Sequence, residues 1–196
     1  GMKKIMAQAQ LSRTLARLTL QGIETSPRSL GYLGAGLAVS TSIDRLIITS
    51  DTITEKGMAK LAVGLKNNTV LQILCFDGCS ITSAGLEILC DALRWNKTLQ
   101  RLWLKDNAFN GDGMSHLANL FESGVVIKDL DISSNTIDDR GAADLARIIR
   151  ATSTLERLDL GNCNLGALGA EAVLSALCDN TSIDYVSIRH AFQILP

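Results

Sequence analysis

Leu99-Gln100-Arg101-Leu102-Trp103-Leu104 carries the pattern on which the fold turns: an apolar residue, another three positions on, and a third two beyond that. The same spacing restarts at one constant interval in both directions along the chain. Its first positions are Leu15, Ile43, Leu71, Leu99, Ile127, Leu155 and Ile183, which set a 28-residue period. The second are Leu18, Leu46, Leu74, Leu102, Leu130, Leu158 and Val186, and the third Leu20, Ile48, Phe76, Leu104, Ile132, Leu160 and Ile188. All 21 are hydrophobic in a chain that is 46% hydrophobic, which independent draws would achieve roughly once in ten million tries. A period of this length is the signature of a stacked-repeat architecture.

The rest of each unit follows the same clock. Ile53, Ile81, Phe109, Ile137 and Leu165 add an inward position, and Ser26, Thr54, Thr82, Asn110, Asp138 and Gly166 come one residue later. Five of those six side chains can accept a hydrogen bond from the free amides of a helix start. Pro27 follows Ser26 at the first helical position, where a missing N–H costs nothing. Gly57, Gly85, Gly113, Gly141 and Gly169 recur in the first turn, which implies close helix packing. Leu61, Leu89, Leu117, Leu145 and Val173, with Leu65, Leu93, Phe121, Ile149 and Leu177 four later, give each helix an apolar stripe. Each unit therefore reads as strand, loop, capped helix and return loop. One unit cannot bury its apolar face alone, so the units must stack, with parallel strands inside and helices outside.

Composition narrows the function. Nineteen Lys and Arg against 20 Asp and Glu leave a net charge of −1, whereas a phosphate-gripping surface needs a basic excess, so no nucleic-acid partner is expected. No apolar run approaches the ~20 residues that span a bilayer, so no membrane partner is expected either. Five cysteines, with no Cys-x-x-Cys pair and no leader peptide, read as reduced thiols in a cytoplasmic setting. Gly1 ahead of Met2 reads as a remnant of tag removal. Asn-x-Thr/Ser triplets beginning at Asn67, Asn96 and Asn180 read as loop residues rather than glycosylation sites. The two histidines, His116 and His190, offer little chemistry. Cys75 and His190 lie four strands apart, about 19 Å at ~4.8 Å per strand, too far for a nucleophile and its base. Gly31-Tyr32-Leu33-Gly34-Ala35-Gly36 lacks the spacing of a phosphate-binding loop. No catalytic residue, metal or cofactor is expected.

Asn96-Lys97-Thr98-Leu99-Gln100-Arg101-Leu102-Trp103-Leu104-Lys105-Asp106-Asn107 resembles the leucine-rich repeat of ribonuclease inhibitor and of NLR-type immune receptors, as does Leu130-Asp131-Ile132-Ser133-Ser134-Asn135-Thr136-Ile137. The Ran GTPase-activating proteins share this repeat. The resemblance implies an α/β fold: a right-handed leucine-rich-repeat solenoid in a horseshoe arc, with a parallel inner sheet of about seven strands and outer helices. Residues 1–14 would form an N-terminal capping helix and residues 15–196 the repeat domain. Family members usually carry Asn or Cys eight residues after each start. Cys79, Asn107, Asn135 and Cys163 comply, while Ile23, Asp51 and Ala191 do not. Gly31, Gly34 and Gly36 are expected to weaken the first full repeat's helix. The seventh unit starts at Ile183, and residues 189–196 supply no helix to cover it. A longer natural chain, a partner or self-association at that C-terminal edge, or a folded-back tail would each resolve this.

The resemblance implies protein binding rather than catalysis, and alternation along the strands places the readers. Arg17, Arg45, Ile73, Arg101, Asp129, Arg157 and Tyr185 should form one row on the concave face, and Thr19, Ile47, Cys75, Trp103, Asp131, Asp159 and Ser187 the next. Asp129 between Arg101 and Arg157 can form an internal charge ladder. Ile47, Cys75 and Trp103 form an apolar strip beside Asp131 and Asp159, whose paired charges invite a Lys or Arg from a partner. Trp95, near a helix end, reads as a packing residue or an isolated exposed aromatic. The leading expectation is a protein partner on this face. A small-GTPase regulator, a sensor fragment of an NLR-like receptor and a bacterial effector acting in a host cytosol are the alternatives. A fully buried Leu contributes roughly 1.5–3 kcal/mol and a buried unpaired carboxylate costs more. Leu102→Asp is therefore expected to abolish the cooperative unfolding transition seen by circular dichroism.

Overall fold

The computed structural model describes residues 1–22 and 25–191. After α1 (Met2–Leu11), strand and helix alternate: β1 (Arg17–Gln21), α2 (Pro27–Val39), β2 (Arg45–Thr49), α3 (Glu55–Asn67), β3 (Ile73–Cys75), α4 (Ser83–Leu93), β4 (Arg101–Trp103), α5 (Gly111–Glu122), β5 (Asp129–Asp131), α6 (Asp139–Ala151), β6 (Arg157–Asp159), α7 (Ala167–Asp179) and β7 (Tyr185–Ser187). The seven strands form one parallel sheet in chain order. Register follows the repeat period without a slip, pairing Arg17 with Arg45, Arg45 with Ile73, and so on to Arg157 with Tyr185. The molecule is an α/β repeat solenoid.

The periodic leucines fill the space between sheet and helices. Leu46, Leu74, Leu102, Leu130 and Leu158 are fully buried, while the first and last units are less so: Leu15 is 36% and Ile188 40% exposed. An end unit has one neighbour instead of two. On α7, Leu174 is 48% exposed although its counterparts Ala62, Cys90, Ala118 and Ala146 are buried. Ala191 is buried, and its carbonyl accepts the Leu165 N–H at 2.7 Å. Residues 192–196, on which the expectation of an uncovered end or folded-back tail partly rests, lie outside the described residues, as does Ile23.

Five helix starts are capped by the side chains their sequence predicts. Ser26, Thr54, Thr82, Asn110 and Asp138 accept amide protons from Ser29, Gly57, Gly85, Asp112 and Gly141. Gly166 has no side chain to offer, and Asp139 of the preceding unit substitutes by accepting the Gly169 N–H at 2.8 Å.

Two further rows emerge that periodicity of hydrophobicity does not reveal. Gly22, Ser50, Gly78, Asp106, Ser134, Asn162 and His190 occupy one equivalent position in successive units, and all adopt left-handed backbone with φ between 51° and 63°. Every strand leaves the sheet through this turn, although only two of the seven residues are glycine. In the return loop, Asn68, Asn96 and Asn180 hold one equivalent position. Each carboxamide accepts two amide protons of its own loop and donates to the preceding unit: to Leu37, Asn68 and Ile149 carbonyls respectively. Asn96 is only 3% exposed, so the triplet it begins is a structural bracket. Ser12, Ser40 and Thr152 hold equivalent loops with hydroxyls.

The glycines of the first full repeat act differently from expectation. α2 runs unbroken over 13 residues despite them. Gly34 and Gly64 bring α2 and α3 into backbone contact, where a Cβ on Gly64 would collide with the Gly34 carbonyl, and Gly36 makes room for Met6 of α1. The loss in helix propensity is offset by packing that a larger residue forbids. Gly64→Ala is expected to lower stability by about 1–3 kcal/mol in urea unfolding. Gly31→Ala, where a Cβ would meet only the Lys60 Cβ at 3.7 Å, should be neutral or stabilising.

Candidate functional site: the concave sheet face

Because neighbouring strands are in register, the residues between the buried leucines form continuous rows on the open face. Arg101 and Arg157 are exposed, Tyr185 is 45% exposed, and Ile47, Trp103, Asp129, Asp131 and Asp159 are half-buried. Cys75 departs from its expected role. It is only 3% exposed, a short side chain between the longer Ile47 and Trp103 on the flanking strands. Ile73 is likewise buried. The accessible apolar strip therefore breaks at β3, and burial pushes the Cys75 thiol up to about 12.

The charge ladder expected through Asp129 does not form among the described residues. Asp129 instead accepts a hydrogen bond from the Trp103 indole N–H at 3.2 Å. Arg157 turns the other way, its guanidinium 4.3 Å from the centre of the Tyr185 ring. Pairing Asp129 with the indole satisfies the one polar group of a half-buried tryptophan, and stacking on Tyr185 holds Arg157 along the sheet. Both aromatic rings are thereby fixed at opposite walls of a small depression of about 180 Å3, floored by Asp129, Asp131, Asp159 and Leu158.

Asp131 and Asp159 sit side by side in register. Each spends one carboxylate oxygen on a loop amide, Oδ1 of Asp131 accepting from Ser133 and Oδ1 of Asp159 from Gly161, both at 2.9 Å. Their second oxygens have no hydrogen-bond partner among the described residues. A neighbouring depression of about 270 Å3 lies beyond Asp159, edged by the cations Lys105 and Arg189. Asp77, in the same row as Lys105, accepts the Lys105 N–H at 3.0 Å, and burial raises its carboxyl above the ordinary value.

The chemistry available is thus a carboxylate-lined notch between two aromatics. Cys75 lies on β3 and His190 in the left-handed turn after β7, so the structure does not bring the two together. Among the described residues no helix is long and apolar enough to cross a membrane, and no group of three or more His, Cys, Asp or Glu is placed to hold a metal ion. Trp95, on the convex side, is 64% exposed beneath the Lys66 ammonium. The repeat pattern alone does not distinguish a packing role from an exposed one at this position, because it does not show what lies beside it in space.

A profile of the family described as Leucine Rich repeat matches residues 126–146 and 152–174. The fold those repeats build is the leucine-rich-repeat solenoid. Among solved structures, leiomodin-1 actin-binding site 2 superposes with a TM-score of 0.55 at 13% identity, over 89% of this chain and 86% of that one. A plant ice-binding protein aligns at 13% identity over 76% of this chain and 57% of that chain, but its TM-score of 0.39 is too low to bear on the fold. No curated protein sequence matches.

Burial raises Cys79 and Cys163 to about 12 as well and pushes Cys90 up further, whereas Cys178 on α7 is exposed. Thiolates are the reactive species. Iodoacetamide at pH ~7.5 is therefore expected to alkylate Cys178 alone in the folded protein and all five cysteines after denaturation, as read by intact mass.

Proposed function

We propose that the chain is a protein-interaction module whose concave face docks a partner through the notch between Trp103 and Tyr185, taking a Lys or Arg side chain of that partner. The observation that carries this reading is the notch itself. Three carboxylates, Asp129, Asp131 and Asp159, share a depression whose nearest cation, Arg157, is already stacked on Tyr185. Like charges in register on adjacent strands repel, and an incoming cation relieves that repulsion. The flanking rings add cation–π attraction and shield the contact from water. Arg101, exposed on β4 beside the notch, and Arg157 set the register of the docked segment. The same fold carries an actin-binding site in leiomodin-1, which supports protein binding as its use and assigns no partner to this chain.

Affinity capture from cytosolic extract, comparing wild type with Trp103→Ala/Asp131→Ala, tests the reading. A central anchor contributes about 2 kcal/mol or more, so an identified partner should lose roughly thirtyfold or more in affinity with the double variant. The wild-type complex should also weaken with added salt. Equal retention by both proteins would sink the concave site.

A further inference from the structure

The convex face holds a second feature that the concave reading leaves unused. A groove of about 600 Å3 runs between α3 and α4, lined by Val63, Ile88 and Trp95 around the buried Ala62 and Ala92. Val63 and Trp95 are 63% and 64% exposed, an unusual pair of large apolar groups to leave in water on one patch. Its rim carries Lys66, Arg94 and Lys97 against a single carboxylate, Asp91. That is a local excess of two positive charges on a chain whose net charge is −1.

The equivalent groove two units along is filled differently. Stepping forward by two repeats carries Val63, Lys66, Ile88 and Asp91 onto Asn119, Glu122, Asp144 and Arg147. Between α5 and α6 the Arg147 guanidinium lies in the groove and bonds Glu122, Asp144 and Asn119 at 2.6–3.2 Å. That groove is closed by its own polar network. Between α3 and α4 the polar partners are replaced by Val63 and Ile88, and the charges are exchanged. Lys66 lies over the Trp95 ring at 4.9 Å. Asp91 reaches only Arg94, at 3.6 Å, and the Arg94 Nε is buried without a hydrogen-bond partner. This slot lacks that polar network, is lined by apolar side chains and is short of carboxylates at its edge.

We infer that the α3–α4 groove is a docking surface for an acidic peptide segment of a protein, one that seats an apolar side chain between Val63, Ile88 and Trp95 and supplies carboxylates to Lys66, Arg94 and Lys97. A bound carboxylate does for this rim what Glu122 does for Arg147. The guanidinium of Arg94 can donate to such a carboxylate through its terminal nitrogens, since its ion pair with Asp91, at 3.6 Å, is longer than a hydrogen bond. The precedent of Glu122 against Arg147 favours a peptide over a lipid surface, since a chain can present side-chain carboxylates at the spacing of this rim.

A displayed library of random short peptides, selected on the wild-type protein and counter-selected on Lys66→Glu/Arg94→Glu, tests this. The survivors are expected to carry Asp or Glu around a Leu, Ile or Phe. The chain has two tryptophans, so Trp103→Phe leaves Trp95 as sole reporter. In that background the peptides should shift its emission on binding and lose tenfold or more in affinity with the charge reversals. Circular dichroism confirms that each variant is folded, and Lys66→Gln/Arg94→Gln offers a milder change should the reversals unfold the protein. Affinity for these peptides should be untouched by Asp131→Ala, which separates this surface from the concave one. The inference is overturned if no peptide survives counter-selection, if survivors show no acidic enrichment, or if Asp131→Ala abolishes their binding. Sedimentation with phosphatidylserine vesicles that depends on Lys66 and Arg94, in the absence of acidic survivors, would overturn it in favour of a membrane.

Discussion

Every coil of this solenoid buries peptide groups between itself and the next, and those groups must be satisfied without water. At the strand exits, Asn107 donates to the Phe76, Leu104 and Lys105 carbonyls and accepts from the amides of Cys79 and Ile81. Asn135 repeats the arrangement one unit on, bonding Leu104, Ile132 and Ser133 and accepting from the Asn107 amide. Cys79 and Cys163 serve more weakly, each thiol donating to a carbonyl of the unit before. Apolar burial drives the stacking, but it is indifferent to small slips. The amides are not, because a shifted coil would leave several of them unpaired at about 1–3 kcal/mol each.

That constraint reaches the open face. With the coils locked, equivalent positions on successive strands must align, and each row becomes a fixed sequence of side chains at about 4.8 Å spacing. The notch between Trp103 and Tyr185 exists because Asp129, Asp131 and Asp159 have no freedom to move along their strands. Burial then selects among the residues that alternation offers. Cys75 and Trp103 occupy the same row, yet the longer side chain stands clear and the shorter one is covered.

The convex face obeys a looser rule. Helices need only present their apolar stripe inward, and their outer residues vary from unit to unit. Identical backbone geometry therefore yields a groove closed by Arg147 in one place and an apolar one edged by Lys66 and Arg94 in another. Variation on a constant frame is how a repeat protein acquires distinct surfaces without altering its core.

The amino-acid sequence by itself determined the period, the strand register, the inward leucines and five side-chain caps, because each follows from one-dimensional spacing in units of the repeat. It also indicated which residues share the concave rows. Only the tertiary structure decided what those residues do. Asp129 bonds Trp103 rather than an arginine, Arg157 lies on Tyr185, and Cys75 is sealed off, since each outcome depends on neighbours one repeat away competing for the same space. The same holds for Gly34 and Gly64. Gly34 reads as a helix weakener in one dimension, and in three the two glycines prove to be the contact between two helices. Spacing specifies which side of the sheet a residue takes; the partner it finds there is set by packing and by which polar groups water has been denied.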